Sequence, residues 1–314
     1  MLKSFAYIDE KIASDIKREE IGLNLSKADL LWLDIEDPNE ADIDILEDVF
    51  KFHELSIEDC IFPQNQPKID EFDDYLFIVV HSLVKEETEG LNIFVGKNFV
   101  VTVHEREIPA LSNVVNKIKK DGEIFKNGSG FLFHSILDSV VDGFLLIIKR
   151  IDDEIDRAEE EAMLNPSRNA INCLFNIKKK ILSLRRTILP QQAVINTIIR
   201  KPFPIIKEEH IPYFKDINDH IIQVNTTLDT YRDILTHILE VCSSNLEAHL
   251  SEVVKVLTVL ATLAIPFLMV TGYYGMNIAL PEFKWGIKGL AFVFGITFLS
   301  TFAVFIYLRK KRLL

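Results

Sequence analysis

The sequence predicts an α+β cytoplasmic domain that continues into a long stalk helix and then into two C-terminal transmembrane helices. Three observations carry that expectation. Two uncharged apolar stretches, residues 256–274 and 289–308, close the chain. A sustained heptad stripe leads into the first of them. The first 130 residues alternate strand-like runs with a helical pattern.

The strand-like runs are "FAYI" (5–8), "LLWLDI" (30–35), "YLFIVVHSLV" (75–84) and "LNIFVGKNFVVTVHE" (91–105), rich in β-branched and aromatic residues. The last reads as a hairpin turning at Gly96-Lys97-Asn98. Between them "NEADIDILEDVFKFH" (39–53) has helical spacing. From Phe131 the chain turns helical. One helix runs to Asn165-Pro166, and a second, starting at Asn169, is expected to end at Pro190 or shortly after. The first is acid-rich over 152–161 and the second basic over 178–186, which predicts a helix hairpin laced by exposed charge pairs.

The third helix begins near Pro212 and meets no Gly or Pro until Pro266. Ile217, Ile221, Val224, Leu228, Tyr231, Leu235, Ile238 and Cys242 follow one another in alternating steps of four and three. One helix of some 60 residues would extend roughly 90 Å. The domain plan is therefore 1–130 mixed α/β, 131–252 helical hairpin and stalk, and 253–314 membrane pore.

Each terminal apolar stretch is long enough to cross about 30 Å of hydrocarbon as a helix. Lys255 precedes the first, and Arg309, Lys310, Lys311 and Arg312 follow the second, so both termini are expected in the cytoplasm. A short outer loop would then span 275–288, in a multi-pass protein of the cell membrane. Two helices cannot enclose an aqueous path alone, so conduction would require several copies around one pore.

Charge follows the same division. The 314 residues carry a formal −12, yet residues 253–314 hold seven Lys/Arg against one acid, a balance of +6. Residues 1–252, with 28 basic and 46 acidic side chains, carry −18. Such a body repels nucleic acid and attracts cations. Cys60, Cys173 and Cys242 are scattered singly, as expected of buried thiols in a reducing compartment, and the acidic N-terminus lacks the pattern of a secretory leader. "GLNIFVGKN" (90–98) falls short of a phosphate-binding loop, having five residues between its glycines and Asn98 in place of Ser/Thr. No hydrolase or metalloprotease motif occurs, and nothing points to an enzyme.

Neither span contains an ionisable residue, so a cation path there must use neutral dipoles. Asn277 stands where the first span should end, and its amide oxygen, repeated around a ring, could hold a hydrated ion through its waters. The same Gly275 and Asn277 would also suit a plain helix C-cap.

"YGMN" (274–277) followed by "LPEF" (280–283), between two C-terminal spans and before a basic tail, resembles the CorA family of magnesium transport proteins. "HELSIEDC" (53–60), "QPKIDEFDDYLFIV" (66–79), "FVGKNFVVTVHE" (94–105), "IDDEID" (151–156) and "PYFKDINDH" (212–220) resemble family segments in order. The resemblance implies a homopentameric, funnel-shaped channel for Mg²⁺, with Co²⁺ and Ni²⁺ as further cargo. Its self-assembly in the lipid bilayer would place Tyr274, Gly275, Met276 and Asn277 at the selectivity filter and Glu282 in the outer loop. It also implies a hydrophobic gate at Val254, Leu257, Ala261 and Ile265, and regulatory Mg²⁺ held between subunits by Glu58, Asp59, Asp138 and Asp216. Ser251 stands where several members carry an inner Asn. Two other readings fit the same residues: a Zn²⁺ or other transition-metal transporter of this family, and a membrane-anchored divalent-cation sensor that conducts nothing.

Overall fold

Seven strands form one sheet in a computed structural model that describes residues 1–61, 66–120, 122–164, 167–277 and 284–311. They are β1 (Leu2–Ile8), β2 (Lys11–Ser14), β3 (Leu30–Glu36), β4 (Lys68–Glu71), β5 (Tyr75–Val84), β6 (Glu87–Gly96) and β7 (Phe99–His104). Their order is β2-β1-β3-β7-β6-β5-β4, antiparallel except for the parallel β3–β7 pair, where Leu33 faces Val101. "LLWLDI" is buried throughout because it is a central strand covered on both faces, and its one charged residue, Asp34, is met by Thr102 at 2.6 Å and His104 at 3.1 Å. The β6–β7 hairpin turns where expected. A Cβ on Gly96 would lie 2.2 Å from the Phe99 ring, so glycine here lets that ring lie over the turn.

The short helices α1 (Ile21–Lys27), α2 (Glu40–Asp44) and α3 (Glu54–Ile61) contribute to a core with Leu31, Leu33, Phe77 and Phe94. Phe52 stacks on Phe94 at 4.0 Å between centroids. The helix expected over 39–53 is shorter than its pattern suggests. Asn39 and Asp42 form a capping box at its start, and residues Ile45–Val49 widen into a π turn. Phe50 N donates to Ile45 O at 3.2 Å, and Lys51 adopts φ +56°, ending the helix so that Phe52 can enter the core.

Helices α4 (Pro109–Lys120), α5 (Glu123–Lys126), α6 (Ser129–Leu164) and α7 (Arg168–Arg200) complete this part of the chain, α6 packing on β5, β6 and β7. α6 is apolar enough to cross a membrane, yet 67% of its most apolar window is buried in protein, which makes it a core helix. α7 does not stop at Pro190. It continues to Arg200 because Gln191, Val194, Ile195 and Ile198 are buried on the same face beyond the proline. Gln191 Oε1 also accepts from the His81 amide of β5, helping to hold the helix there. The charged faces pair only in part with each other. Lys180 reaches Glu154 at 3.0 Å, whereas Arg185 reaches Asp229 at 3.1 Å on the following helix. Cys60 and Cys242 are buried, but Cys173 is exposed, being beside rather than on the buried stripe of α7.

That following helix, α8 (Ile211–Tyr274), has 64 residues and a length of roughly 96 Å. Of its predicted stripe, all but the half-buried Tyr231 are buried. The chain divides into units Met1–Ile238 and Leu239–Leu314. The second holds the remainder of α8 and α9 (Ile287–Lys310). The most apolar windows of these two helices are only 6% and 11% buried, so their apolar surfaces require lipid or another protein chain.

Candidate functional site

The first group of candidate residues belongs to the end of α8. Val254, Leu257, Ala261 and Ile265 follow 3, 4, 4 spacing along one helical face and are exposed in the single chain. Thr258 and Thr262 donate their hydroxyl protons to Val254 O and Thr258 O, each at 2.7 Å, so they add no free donor to that face. Pro266 deprives the Thr262 carbonyl of its usual helical donor. The helix closes at Tyr274, and Gly275 N donates to Thr271 O at 2.9 Å. A Cβ at Gly275 would lie 2.9 Å from that same oxygen, closer than side chains tolerate, so the glycine is needed for the chain to leave the helix here. Met276 and Asn277 follow, both exposed. Asn277 therefore offers an amide oxygen beyond the last helical turn, as its sequence position suggests. Glu282 lies outside the described residues.

The second group belongs to the first unit. Asp138 on α6 and His220 on α8 meet a third residue, Asp142, one turn further along α6. A ligand atom of each lies within 4.8 Å of the other two, a spacing that one divalent ion with part of its water shell can bridge. Partial burial, and then the negative charge of Asp138, push the Asp142 carboxyl above the usual carboxylate range, against the pull of Lys117 and His220. Lys117 Nζ lies 3.7 Å from Asp138. Two carboxylates and an imidazole are a donor set of the kind that divalent cations take, with the imidazole also suited to transition ions. Asp216 is exposed one helical turn before His220. Asp142 and His220 were missed as candidates, although each completes an i, i+4 pair, Asp138–Asp142 and Asp216–His220.

Nearby, Phe131, His134, His210, Tyr213 and Phe214 form an aromatic cluster with centroid spacings of 5.3 to 5.6 Å. Burial holds both histidines below the ordinary imidazole range. Their Nδ1 atoms have no hydrogen-bond partner among the described residues.

Glu58 and Asp59 lie on α3, and the three-ligand cluster does not include them. Glu58 is exposed. Asp59 Oδ2 lies 2.6 Å from Lys68 Nζ, which also reaches Asp70 Oδ2 at 2.9 Å. The four acids are thus distributed over α3, α6 and α8 rather than gathered in one place within the chain.

Residues 27–310 match the model of the CorA-like Mg²⁺ transporter protein family. The chain belongs to this family. The cobalt/magnesium transport protein CorA of Thermotoga maritima is 32% identical over 292 residues, covering 90% of this chain and 82% of that protein. The putative metal ion transporter YfjQ of Bacillus subtilis is 32% identical over 257 residues, covering 81% of each chain. The complete structure of the CorA magnesium transporter from Methanocaldococcus jannaschii matches with a TM-score of 0.86 at 21% identity, covering 98% of this chain and 97% of that one. The CorA-like fold therefore extends through the α/β domain, the long helix and the C-terminal apolar helices.

Proposed function

We propose that this CorA-family chain is a homopentameric Mg²⁺ channel that admits the ion down the membrane potential and is inhibited by internal Mg²⁺. Co²⁺ and Ni²⁺ would be secondary cargo. The observation that carries the reading is the Tyr274-Gly275-Met276-Asn277 segment at the end of an exposed apolar helix in a member of this family. Five copies would ring the Asn277 amides at the outer mouth, with both termini in the cytoplasm. Glu282 would gather cations before the filter, and Val254, Leu257, Ala261 and Ile265 would close the inner path by dewetting.

Passive entry is sufficient energetically. A divalent ion gains roughly 4.6 kcal/mol per 100 mV of inside-negative potential. For regulation, Glu58, Asp59, Asp138 and Asp216 would hold Mg²⁺ between neighbouring subunits, and Asp142 and His220, which lie beside Asp138 in the same chain, would join that set. Carboxylates facing one another across an interface repel, so a bound divalent ion would favour a closed symmetric ring, and its loss would release the ring to conduct.

The test is Mg²⁺ uptake into proteoliposomes under graded diffusion potentials, with the inner face of the channel free of Mg²⁺. Uptake should rise with inside-negative potential and fall as internal Mg²⁺ is added. A preference for Zn²⁺ would move the assignment to transition-metal transport, and no flux of any divalent ion from an intact oligomer would favour a non-conducting sensor.

A further inference from the structure

Lys68 is held in an unusual position for a lysine beside a candidate metal ligand. It begins β4, and its partner across β5 is Val79. Asp70 shares its strand face by the two-residue repeat, while Asp59 approaches from α3. The Lys68 ammonium lies 2.6 Å from Asp59 Oδ2 and 2.9 Å from Asp70 Oδ2, and 5.5 Å from the centre of the Phe77 ring. Three groups thus fix one cation. The Lys68 side chain remains 40% exposed and that of Asp59 only 19%, so the ammonium covers the more enclosed carboxylate. A lysine ammonium beside two carboxylates is charged at physiological pH.

We propose that Lys68 is a tethered competitor for divalent cations at Asp59, and that it sets the internal Mg²⁺ concentration at which the protein responds. This rests on the reading of Asp59 as a regulatory ligand. Without Mg²⁺ the ammonium neutralises Asp59. When Mg²⁺ arrives the ammonium gives up Asp59 and keeps the contacts it already has with Asp70 and the face of Phe77. Binding must therefore displace a resident charge, and the site responds at higher Mg²⁺ than Asp59 alone would allow. K68R keeps the charge in a different shape, whereas K68Q removes it and leaves a shorter polar chain.

The experiment measures inhibition of uptake by internal Mg²⁺, and the Mg²⁺-dependent rise in melting temperature, for wild type, K68Q, K68R and D59N in full-length protein. A unit charge roughly 5 Å from a divalent ion alters its affinity on the order of tenfold in water-like screening. K68Q should lower the half-effective Mg²⁺ by about that factor, K68R should lower it less than K68Q because it keeps the charge, and D59N should raise it. Melting in EDTA shows whether each variant is folded. A raised midpoint in D59N with an unchanged or raised midpoint in K68Q overturns the competitor role while leaving Asp59 as a ligand. An unchanged midpoint in D59N overturns the regulatory reading of Asp59 itself, and the role of Lys68 falls with it.

Discussion

Asp142→Asn should make the protein more stable without Mg²⁺ and less stable with it. The carboxylates of Asp138 and Asp142 approach within 4.8 Å. At that separation two like charges repel by about 0.9 kcal/mol in a water-like dielectric, and physiological salt roughly halves this. Lys117 and His220 oppose the repulsion, but the carboxyl is still pushed upward, so the surroundings disfavour its charge on balance. Asparagine has the same shape without the charge. In EDTA the variant should gain about 0.5 kcal/mol, or about 1–2 °C of melting temperature for a domain of this size. In Mg²⁺ the order reverses. A ligand at a hundred times its dissociation constant stabilises by about 2.7 kcal/mol, and a site that has lost one of its acids forfeits much of that. Differential scanning fluorimetry of the full-length protein in detergent, with EDTA and with Mg²⁺, reads both arms. An equal loss in the two conditions would show that Asp142 serves packing alone, and would refute the assignment of this cluster to a cation.

Three further outcomes follow from the same structure. Phe214 is fully buried against Phe133 and His134, and Phe214→Ala should cost about 3–5 kcal/mol of stability, read as a lower melting temperature. His81, His134 and His210 all have lowered affinity for protons in the fold, chiefly through burial, so the unfolded chain binds protons first as the pH falls. Stability should be flat above about pH 6.5 and decline below it, by no more than about 1.4 kcal/mol per pH unit for each histidine, and His134→Gln should weaken that slope in a melting series. Gly275→Ala places a Cβ 2.9 Å from Thr271 O, so the chain cannot leave α8 along its present path, and the variant should assemble yet lose most of its uptake.

The parts of the fold that could be read in the sequence are those with a long, uninterrupted period. The alternating steps from Ile217 to Cys242 define the buried stripe of α8 because a helix of that length repeats the signal many times. β5, β7 and the second half of β6 were legible because they are rich in β-branched and aromatic residues, whereas β6 begins at Glu87, four residues before the run that the sequence shows. Short or locally constrained elements were not. β2 and β4 have four residues each, too few to show a period, and every residue of β2 is exposed. Pro190 is a strong local stop signal that is overridden by tertiary burial of Val194, Ile195 and Ile198.

Among candidate residues, Asn277 stands out in the sequence because the Tyr-Gly-Met-Asn motif is contiguous, and its role at a filter remains the proposal made above. The Asp138–Asp142–His220 cluster does not, since one helix supplies the acids and another, some eighty residues later, supplies the imidazole. Lys68 carries no signal of its own, because its meaning depends on where α3 places Asp59.

Conduction of Mg²⁺ through a ring of Asn277 amides is the proposal on which the rest depends. It is tested most directly by comparing wild type and Asn277→Ala in proteoliposomes loaded with a Mg²⁺-sensitive dye under an imposed inside-negative potential. Potential-driven uptake by the wild type, abolished or made unselective in a variant of unchanged oligomeric size, is the predicted result. Uptake of the same rate and selectivity in both proteins would contradict it.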